Sequence, residues 1–344
     1  MVSPSLKSAL FHLCEAQDVH VFLSAAREKA PMLQSLTIIS PRISSLDLGY
    51  LSQLQNLQSL DFGYAVTVKA HVAESVVPVQ FPQSLKQLKL HGGQIVRGAR
   101  QLFDVLEIYR ASEIESLYIG GIIFRADLER MFSVLSSQWS CTITNLTLQL
   151  LVPKLLTNMD QTPNLILDFI RPLFSLQSLR VFEAGIISIR WLDVCIMDTL
   201  ITDICNTWPQ LTKLQICSNG FEELPTVESL KTLSQLCLDL ERVTVPFNIV
   251  GVPSVHFDND STTYLSSSSH KLKCFTVIVE DDNTLQEFLI NSSRSLAYHL
   301  DLSFPYLKDV YIKPHSGAVV LSWSKVMDII RLCQDARSGE EKQP

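Results

Sequence analysis

A six-residue pattern of apolar and variable positions recurs along this chain. Each copy has a large apolar residue at position 1, a second at position 4 and a third at position 6, with variable residues between them. The intervals between successive copies are 22 to 39 residues, so the chain is built from repeated units rather than from one irregular core. Ten copies begin at Leu33, Leu57, Leu85, Ile114, Ile143, Leu176, Leu211, Leu233, Leu272 and Leu307.

The spacing within and before each copy predicts its secondary structure. Positions 4 and 6 lie two residues apart, so on an extended strand both point to the same buried side. Apolar residues upstream of most copies recur at helical spacing, as over residues 128–135 before Ile143. Prolines that precede position 1 by two or three residues end the helix and start the extended segment; they are Pro31, Pro82, Pro209 and Pro305.

Each unit is therefore predicted to run helix, turn, strand, and to bury its apolar side against the next unit. Intervals of this size are typical of leucine-rich repeats. The predicted fold class is an α/β leucine-rich-repeat solenoid, curved and right-handed. About ten irregular repeats would place parallel strands on its concave face and helices on its convex face.

The domain organisation follows from the repeats. Because each repeat contacts only its neighbours, we predict a single domain over residues 1–337. Residues 1–30 are expected to form an N-terminal helical cap, and residues 245–270, rich in Pro, Gly, Asp and Ser, a long loop insertion. The polar residues 338–344 are expected to be a disordered tail.

Composition and net charge narrow the possible partners and the cellular compartment. Hydrophobic residues make up 47% of the chain, yet no uninterrupted apolar stretch reaches the ~18 residues of a membrane helix, so we expect no membrane span. The net charge of -7, with no run of Lys or Arg, argues against a nucleic-acid partner. Eight cysteines without paired spacing, and no visible secretory signal, favour a reducing compartment, the cytoplasm or the nucleus.

Catalytic and metal-binding signals are weak throughout. The eight histidines show no metalloprotease spacing, and no cysteine pair has the spacing of a zinc site. The pair Gly92-Gly93 lacks the continuation of a phosphate-binding loop. We therefore expect no catalytic residues, no metal and no cofactor, and a protein that is not an enzyme.

The concave strand face is the expected protein-binding surface. A ribbon of ten strands at ~4.8 Å spacing offers about 450 Å², less than the ~800 Å² per partner of a standard interface, so a partner would also use the rim loops. The cations on this face predict that the partner supplies an acidic segment. The alternative is that these charges only keep the surface of the sheet hydrated. The candidate binding residues are Lys89, Tyr118, Thr147, Arg180, Lys213, Gln215 and Tyr311.

Three segments between residues 166 and 245 carry a resemblance to a known family. They read ILDFIRPLFSLQSLRVFE, TLITDICNTWPQLTKLQI and LPTVESLKTLSQLCLDLERVTVP. They resemble, in the same order, the elements RPLLSFxxL, AWPxLxxL and CPxLxxLxxxFD of fungal, chiefly basidiomycete, F-box proteins. The later segments FPYLKDVYI and WSKVMDIIRLC fit the continuation. The likeness is loose over residues 30–337 and closer over 166–337.

This resemblance implies the substrate-recognition part of an F-box-type ubiquitin ligase adaptor. In that family an F-box helical trio, opening with a Leu-Pro-x-Glu-Leu-like motif, docks on the cullin-RING adaptor. The first thirty residues here contain no such motif, and SALFHLCEA and VFLSAAREKA look like repeat helices. The cullin-RING adaptor is therefore an expected partner only if an F-box lies upstream. The alternative is a leucine-rich-repeat scaffold, or a GTPase-regulator-like interaction protein, unrelated to ubiquitylation.

Overall fold

The computed structural model describes most of the chain. By its internal contacts the chain divides into two compact units. The first unit comprises Met1–Leu156 and Asp168–Leu179, and the second comprises Thr157–Leu167 and Arg180–Pro344. The single domain over residues 1–337 stays a prediction. The described residues are 3–12, 16–39, 42–44, 49–63, 67–69, 79–91, 109–110, 113–122, 125–152, 170–188, 197–218, 224–248, 252, 270–279, 293–314 and 321–340.

The first unit contains a parallel sheet of six repeat strands. These strands are β1 (Ser8–His12), β2 (Ser35–Ile39), β4 (Ser59–Gly63), β7 (Gln87–His91), β9 (Ser116–Ile122) and β10 (Asn145–Val152), and they pair in that order. Short parallel pairs join β3 (Arg42–Ser44) to β5 (Thr67–Lys69) and β6 (Val79–Gln80) to β8 (Tyr109–Arg110). In the described part of this unit the longer helices are α1 (Ala16–Lys29) and α2 (Arg125–Trp139), and a 3-10 helix (Arg171–Ser175) follows them along the chain.

The second unit repeats the arrangement with five parallel strands and one antiparallel edge strand. The strands are β11 (Val181–Ser188), β12 (Lys213–Ser218), β13 (Arg242–Pro246), β14 (Cys274–Val279), β15 (Asp309–Pro314) and β16 (Leu321–Ser322). The helices are α3 (Met197–Thr207), α4 (Val227–Leu236), α5 (Ser293–Ser303) and α6 (Ser324–Glu340). The predicted fold class is confirmed: the chain is an α/β leucine-rich-repeat solenoid.

The core forms where positions 1, 4 and 6 of each copy meet the apolar side of the helices. In the copy that begins at Ile143, the side chains of Ile143, Leu146 and Leu148 have no exposed surface. Helix α2 buries its apolar residues over 131–135 at the spacing that the sequence predicts. Alternation along the strand leaves positions 5 and 7 on the opposite side of the sheet, which we call the open face.

Backbone hydrogen bonds hold successive repeats in register just before each strand. The carbonyl of Lys7 accepts the amides of Gln34 and Ser35, at 2.8 and 3.0 Å. In the second unit the carbonyl of Arg180 accepts the amides of Thr212 and Lys213, at 2.7 and 3.2 Å. Because the acceptor is the carbonyl at position 2, this contact does not depend on the side chain there, and position 2 is free to vary.

Two of the ten predicted copies are placed wrongly by the sequence pattern. Phe182 and Ala184 of β11 pair with Leu214 and Ile216 of β12, so this copy begins at Leu179 and not at Leu176. In β13 the buried residues are Val243 and Val245, so that copy begins at Leu240. Leu233 belongs instead to helix α4, and Leu236 and Leu238, which the pattern places in the strand, are 37% and 44% exposed.

The ends of the chain differ from expectation as well. The sequence predicts helix over residues 1–30, but Ser8–His12 is a strand that pairs with β2. Leu6, Ala9 and Phe11 form an additional copy of the repeat, which the pattern misses because position 4 is the small Ala9. At the other end, helix α6 continues to Glu340, so residues 338–340 are helical and not part of a disordered tail.

The predicted insertion over 245–270 falls mostly outside the described residues. At its start, Val245 and Pro246 belong to strand β13 and Phe247 is buried. At its end, His270 is 1% exposed and lies in the core of the second unit. The loop prediction is therefore wrong at both of its ends, and residues 253–269 lie outside the described part.

Candidate functional site

The open face of the first unit carries one row of position-5 side chains. Strand register places Thr37, Asp61, Lys89, Tyr118 and Thr147 side by side on β2, β4, β7, β9 and β10. Three predicted binding residues, Lys89, Tyr118 and Thr147, therefore stand on adjacent strands as the sequence indicates. A pocket lies beside this row, at the carboxyl ends of the same strands.

This pocket, the Asp61 pocket, has a volume of about 360 Å³. Position-5 residues form one wall, and position-7 residues, two positions further along each strand, form the other. Two position-7 residues are the glycines Gly63 and Gly120, and the side chains of Ile39 and Tyr118 occupy the space that a Cβ atom would need there. Its lining residues are Thr37, Ile39, Asp61, Gly63, His91, Tyr118, Gly120, Gly121 and Gln149.

Tyr118 folds back along its own strand because Gly120 has no side chain. A Cβ atom at Gly120 would lie 2.7 Å from the Tyr118 hydroxyl oxygen and 2.9 Å from Cε1. The tyrosine ring therefore lies over the glycine, and its centroid is 4.6 Å from that of His91, with the two planes at 37°. Tyr118 and His91 form an aromatic wall beside the carboxylate of Asp61.

Asp61 is the carboxylate of the pocket. Its Oδ1 atom is buried and has no hydrogen-bond partner among the described residues. The His91 Nε2 atom is 3.4 Å away from this oxygen, close enough for an ionic contact when the imidazole is protonated. Burial raises the pKa of the Tyr118 hydroxyl, and the Asp61 charge raises it further, so this hydroxyl remains a neutral donor at neutral pH.

Lys89 lies between Asp61 and Tyr118 in the row but does not neutralise the carboxylate. Its side chain is exposed, and it is not a lining residue of the pocket. Among the described residues no carboxylate forms an ion pair with Lys89, although Asp61 occupies the adjacent strand. The pocket is therefore lined by the Asp61 carboxylate, and the Lys89 cation lies beside it on the adjacent strand.

The second unit has a different position-5 row. Register aligns Glu183, Gln215, Thr244, Thr276 and Tyr311 on β11 to β15. The predicted residues Gln215 and Tyr311 thus lie on the open face, with two threonine-bearing strands between them. Lys213, at position 3, forms an ion pair with the Glu183 carboxylate, so its charge is neutralised within the fold.

Arg180 is the predicted site residue that does not lie on a strand of the sheet. It precedes β11, in the turn, because the copy begins three residues later than the pattern indicates. There its charge helps to lower the pKa of Asp239, after the larger effect of Lys271. Cys237, directly after helix α4, is fully buried. The predicted row of cations is therefore not assembled on one face of either unit.

The described residues contain neither a metal-binding cluster nor a membrane-spanning helix. No group of three or more His, Cys, Asp or Glu side chains in this part of the chain could hold a metal ion. None of its helices has the length and apolar character needed to cross a membrane.

A buried histidine marks the core of the second unit. His270 Nδ1 accepts the Leu272 amide at 3.0 Å, which leaves the ring hydrogen on Nε2. Its ring packs edge-on against Phe304, with centroids 4.9 Å apart. Burial lowers the pKa of His270, and the carbonyl groups of Leu233 and Cys237 oppose this shift only in part. The neutral imidazole is the form that fits the fold.

We expect His270 to make the second unit less stable in acid. A histidine whose folded pKa is depressed contributes fully above its unfolded pKa of about 6.5, and that contribution is lost as the pH falls below it. The Tm should therefore drop between pH 7.5 and pH 5.5, and by less in His270→Asn, which is also less stable at pH 7.5. An equal pH dependence in wild type and His270→Asn would contradict the assignment.

Comparisons with known proteins find structural similarity at low sequence identity. No protein-family model and no curated protein sequence matches this chain. Among solved structures, it is similar to an internalin from Listeria monocytogenes, at 11% identity over 85% of this chain and 64% of the internalin, with a TM-score of 0.35. The leucine-rich repeat-containing protein LegL7 from Legionella pneumophila is 15% identical over 95% of this chain and 90% of its own, with a TM-score of 0.43.

The chain thus spans less than two thirds of the internalin that it matches. Likenesses at this identity and TM-score carry no functional argument. The repeat assignment rests instead on the parallel strand register and on the burial of positions 1, 4 and 6.

Proposed function

We propose that this chain is a protein-binding module that holds its partner on the open face of the sheet. The observation that carries this proposal is the Asp61 pocket, where a buried carboxylate oxygen has no donor among the described residues. The Asp61 side chain is 25% exposed, so a donor from a partner can reach this carboxylate, and hydrogen bonds to a charged group are among the stronger ones. Tyr118 beside it belongs to the residue types that dominate interface energetics.

The more specific proposal is that the module recognises substrates for an F-box-type ubiquitin ligase, in the cytoplasm or the nucleus. It is supported by the resemblance of residues 166–337 to the repeats of fungal F-box proteins. The alternative remains a scaffold or GTPase-regulator-like protein without a ligase role. An F-box coding sequence upstream of residue 1 in the gene would favour the first function over the second.

Residues 1–344 by themselves should not capture the cullin-RING adaptor. The N-terminal residues are used by the repeats, since Ser8–His12 pairs with β2 and Ala16–Lys29 forms helix α1. We expect a pull-down with purified adaptor to recover no complex, while a known F-box protein on the same resin recovers one. Stoichiometric capture would show that the N-terminal segment docks in a way that this fold does not suggest.

Replacing Tyr118 with Ala should weaken the binding of a peptide that occupies the open face of the first unit. A random-peptide library displayed on phage and selected on the immobilised chain supplies the peptides. A hot-spot tyrosine contributes about 2 kcal/mol, so the Kd measured by calorimetry should rise about 30-fold. Tyr306→Ala removes an equally large side chain that is 61% exposed in the turn before β15, and its Kd should stay unchanged. Equal Kd values for both variants would move the binding surface away from the open face of the first unit.

A further inference from the structure

We propose that the Asp61 pocket binds the guanidinium group of an arginine side chain supplied by a protein partner. This inference rests on the proposed protein-binding function and specifies what the open face recognises. It reverses the expectation from the sequence, in which cations on the strands would attract an acidic segment. Charge, aromatic surface and space in the pocket each favour a planar cation.

The charge of the pocket favours a cationic ligand. Asp61 supplies the sole carboxylate among the nine described lining residues, and its side chain is 25% exposed, so a ligand in the pocket can reach it. Its Oδ1 has no hydrogen-bond partner in the described part of the chain, where the nearest cationic group is His91 Nε2 at 3.4 Å. An arginine offers five N–H donors in one plane, and charge-assisted hydrogen bonds to a carboxylate are about twice as strong as neutral ones.

The aromatic wall favours a flat cation. The Tyr118 and His91 rings lie 4.6 Å apart beside the carboxylate. A cation over the face of a tyrosine ring is attracted by the ring quadrupole. Guanidinium is flat and weakly hydrated, so it can stack on Tyr118 while it donates to Asp61, whereas a lysine ammonium is strongly hydrated and has no flat face. The pocket should therefore prefer arginine to lysine.

The space in the pocket suits one long side chain. A cavity of about 360 Å³ is at the lower end of the ~300–1,000 Å³ range of ligand pockets. Three glycines line the pocket, and one of them, Gly121, has a φ of 139°, a conformation that residues with side chains rarely adopt. Any larger residue at Gly120 would displace the Tyr118 ring. Gly120 therefore keeps the position of the aromatic wall.

Lys89 opposes cation binding and so provides a second, independent test. It projects from β7, the strand between Asp61 and Tyr118, without an ion-pair partner in the described part of the chain. Its ammonium group repels an incoming guanidinium across the open face. Removing this charge with Lys89→Gln should tighten arginine binding, which is the opposite of what an acidic partner would show.

The experiment uses peptides selected by phage display on the immobilised full chain and then synthesised. We expect the enriched peptides to contain arginine, and replacement of that arginine by the neutral isostere citrulline to raise the Kd about 30-fold. Asp61→Asn should raise the Kd of the arginine peptide by a similar factor. The two changes together should weaken binding no more than either alone, because they remove the same contact. Replacement by lysine should cost less than citrulline.

The matched control is Asp239→Asn, which makes the same chemical change at an exposed carboxylate of the second unit. Its Kd for the arginine peptide should equal that of wild type, and thermal unfolding checks that each variant folds. Lys89→Gln should lower the Kd. An increase in Kd with Lys89→Gln, or citrulline and Asp61→Asn effects that simply add, would overturn the arginine site.

A titration with ethylguanidinium chloride separates failure of this inference from failure of the proposed function. Followed by NMR on the 15N-labelled chain, it should shift the amide signals of Gly120 and Gly121 saturably in wild type and not in Asp61→Asn. Selected peptides that lack arginine and bind Asp61→Asn with unchanged Kd would overturn the arginine site and leave protein binding intact. Absence of ethylguanidinium shifts would overturn the arginine site whether or not peptides are found.

Discussion

Phe182→Ala should destabilise the second unit by about 3–5 kcal/mol, the typical cost of removing a large aromatic side chain from a packed core. Phe182 has no exposed surface, and its ring centroid lies 5.1 Å from that of Trp208. The substitution removes this aromatic contact and leaves a cavity between β11 and the end of helix α3. We expect the midpoint of urea unfolding, followed by tryptophan fluorescence and circular dichroism, to fall markedly.

The adjacent variant Val181→Ala is the control. Val181 is half-buried at position 3 of the copy that begins at Leu179, so its truncation should cost less than about 1 kcal/mol. The sequence pattern alone predicts the reverse, with Val181 in the core and Phe182 outside. A larger loss for Val181→Ala than for Phe182→Ala would restore the copy beginning at Leu176 and refute the observed register.

The same ambiguity recurs two repeats further along the chain. Val243 is 1% exposed in β13, whereas Leu238, which the pattern assigns to a core strand, is 44% exposed in the preceding turn. The sequence is ambiguous here because helix α4 itself carries Leu230 and Leu233 at helical spacing and then runs directly into further leucines. Periodicity of apolar residues cannot distinguish the end of a buried helix from the start of a buried strand when both are rich in leucine.

The repeat architecture was predictable because the same apolar pattern occurs in many copies along the chain. Eight of the ten predicted copies need no correction, since in each one a strand begins two residues after position 1. The strand at Ser8–His12 was missed because Ala9 carries too little apolar surface at position 4 to match the pattern. With copies at Leu179 and Leu240, the intervals from Ile143 to Leu272 become 36, 32, 29 and 32 residues, which is more regular than the sequence pattern alone indicates.

The candidate site was predictable only in part. Position 5 is outward by strand geometry alone, which places Asp61, Lys89 and Tyr118 on one surface. The pocket depends on Gly63 and Gly120 at position 7, and glycines at the end of a strand look like turn residues in a sequence. The unpaired Asp61 oxygen, with Lys89 exposed beside it, depends on side-chain conformations that no spacing rule provides.

Removing the carboxylate of Asp198 should cost the second unit about 3 kcal/mol. Asp198, in the first turn of helix α3, joins it to helix α4 of the next repeat. Its Oδ1 accepts the Thr226 amide at 2.8 Å and the Ser229 hydroxyl, and its Oδ2 accepts the Thr226 hydroxyl at 2.7 Å. Hydrogen bonds to a charged group contribute about 1.5–3 kcal/mol each, and Asp198→Ala also leaves the buried Ser229 hydroxyl without its acceptor.

Substitutions at the two ends of this network separate its contributions. Thr226 is also the N-cap of helix α4, where its hydroxyl accepts the Glu228 amide at 3.3 Å, so Thr226→Ala should cost about 1–2 kcal/mol. Thr226→Ser keeps the hydroxyl and should be nearly neutral. In a double-mutant cycle measured by urea unfolding, Asp198→Ala and Thr226→Ala should lose less together than the sum of their separate losses, because they share a hydrogen bond. Strict additivity would mean that Asp198 stabilises helix α3 through its first-turn charge alone, and that the contact between the two repeats contributes nothing measurable.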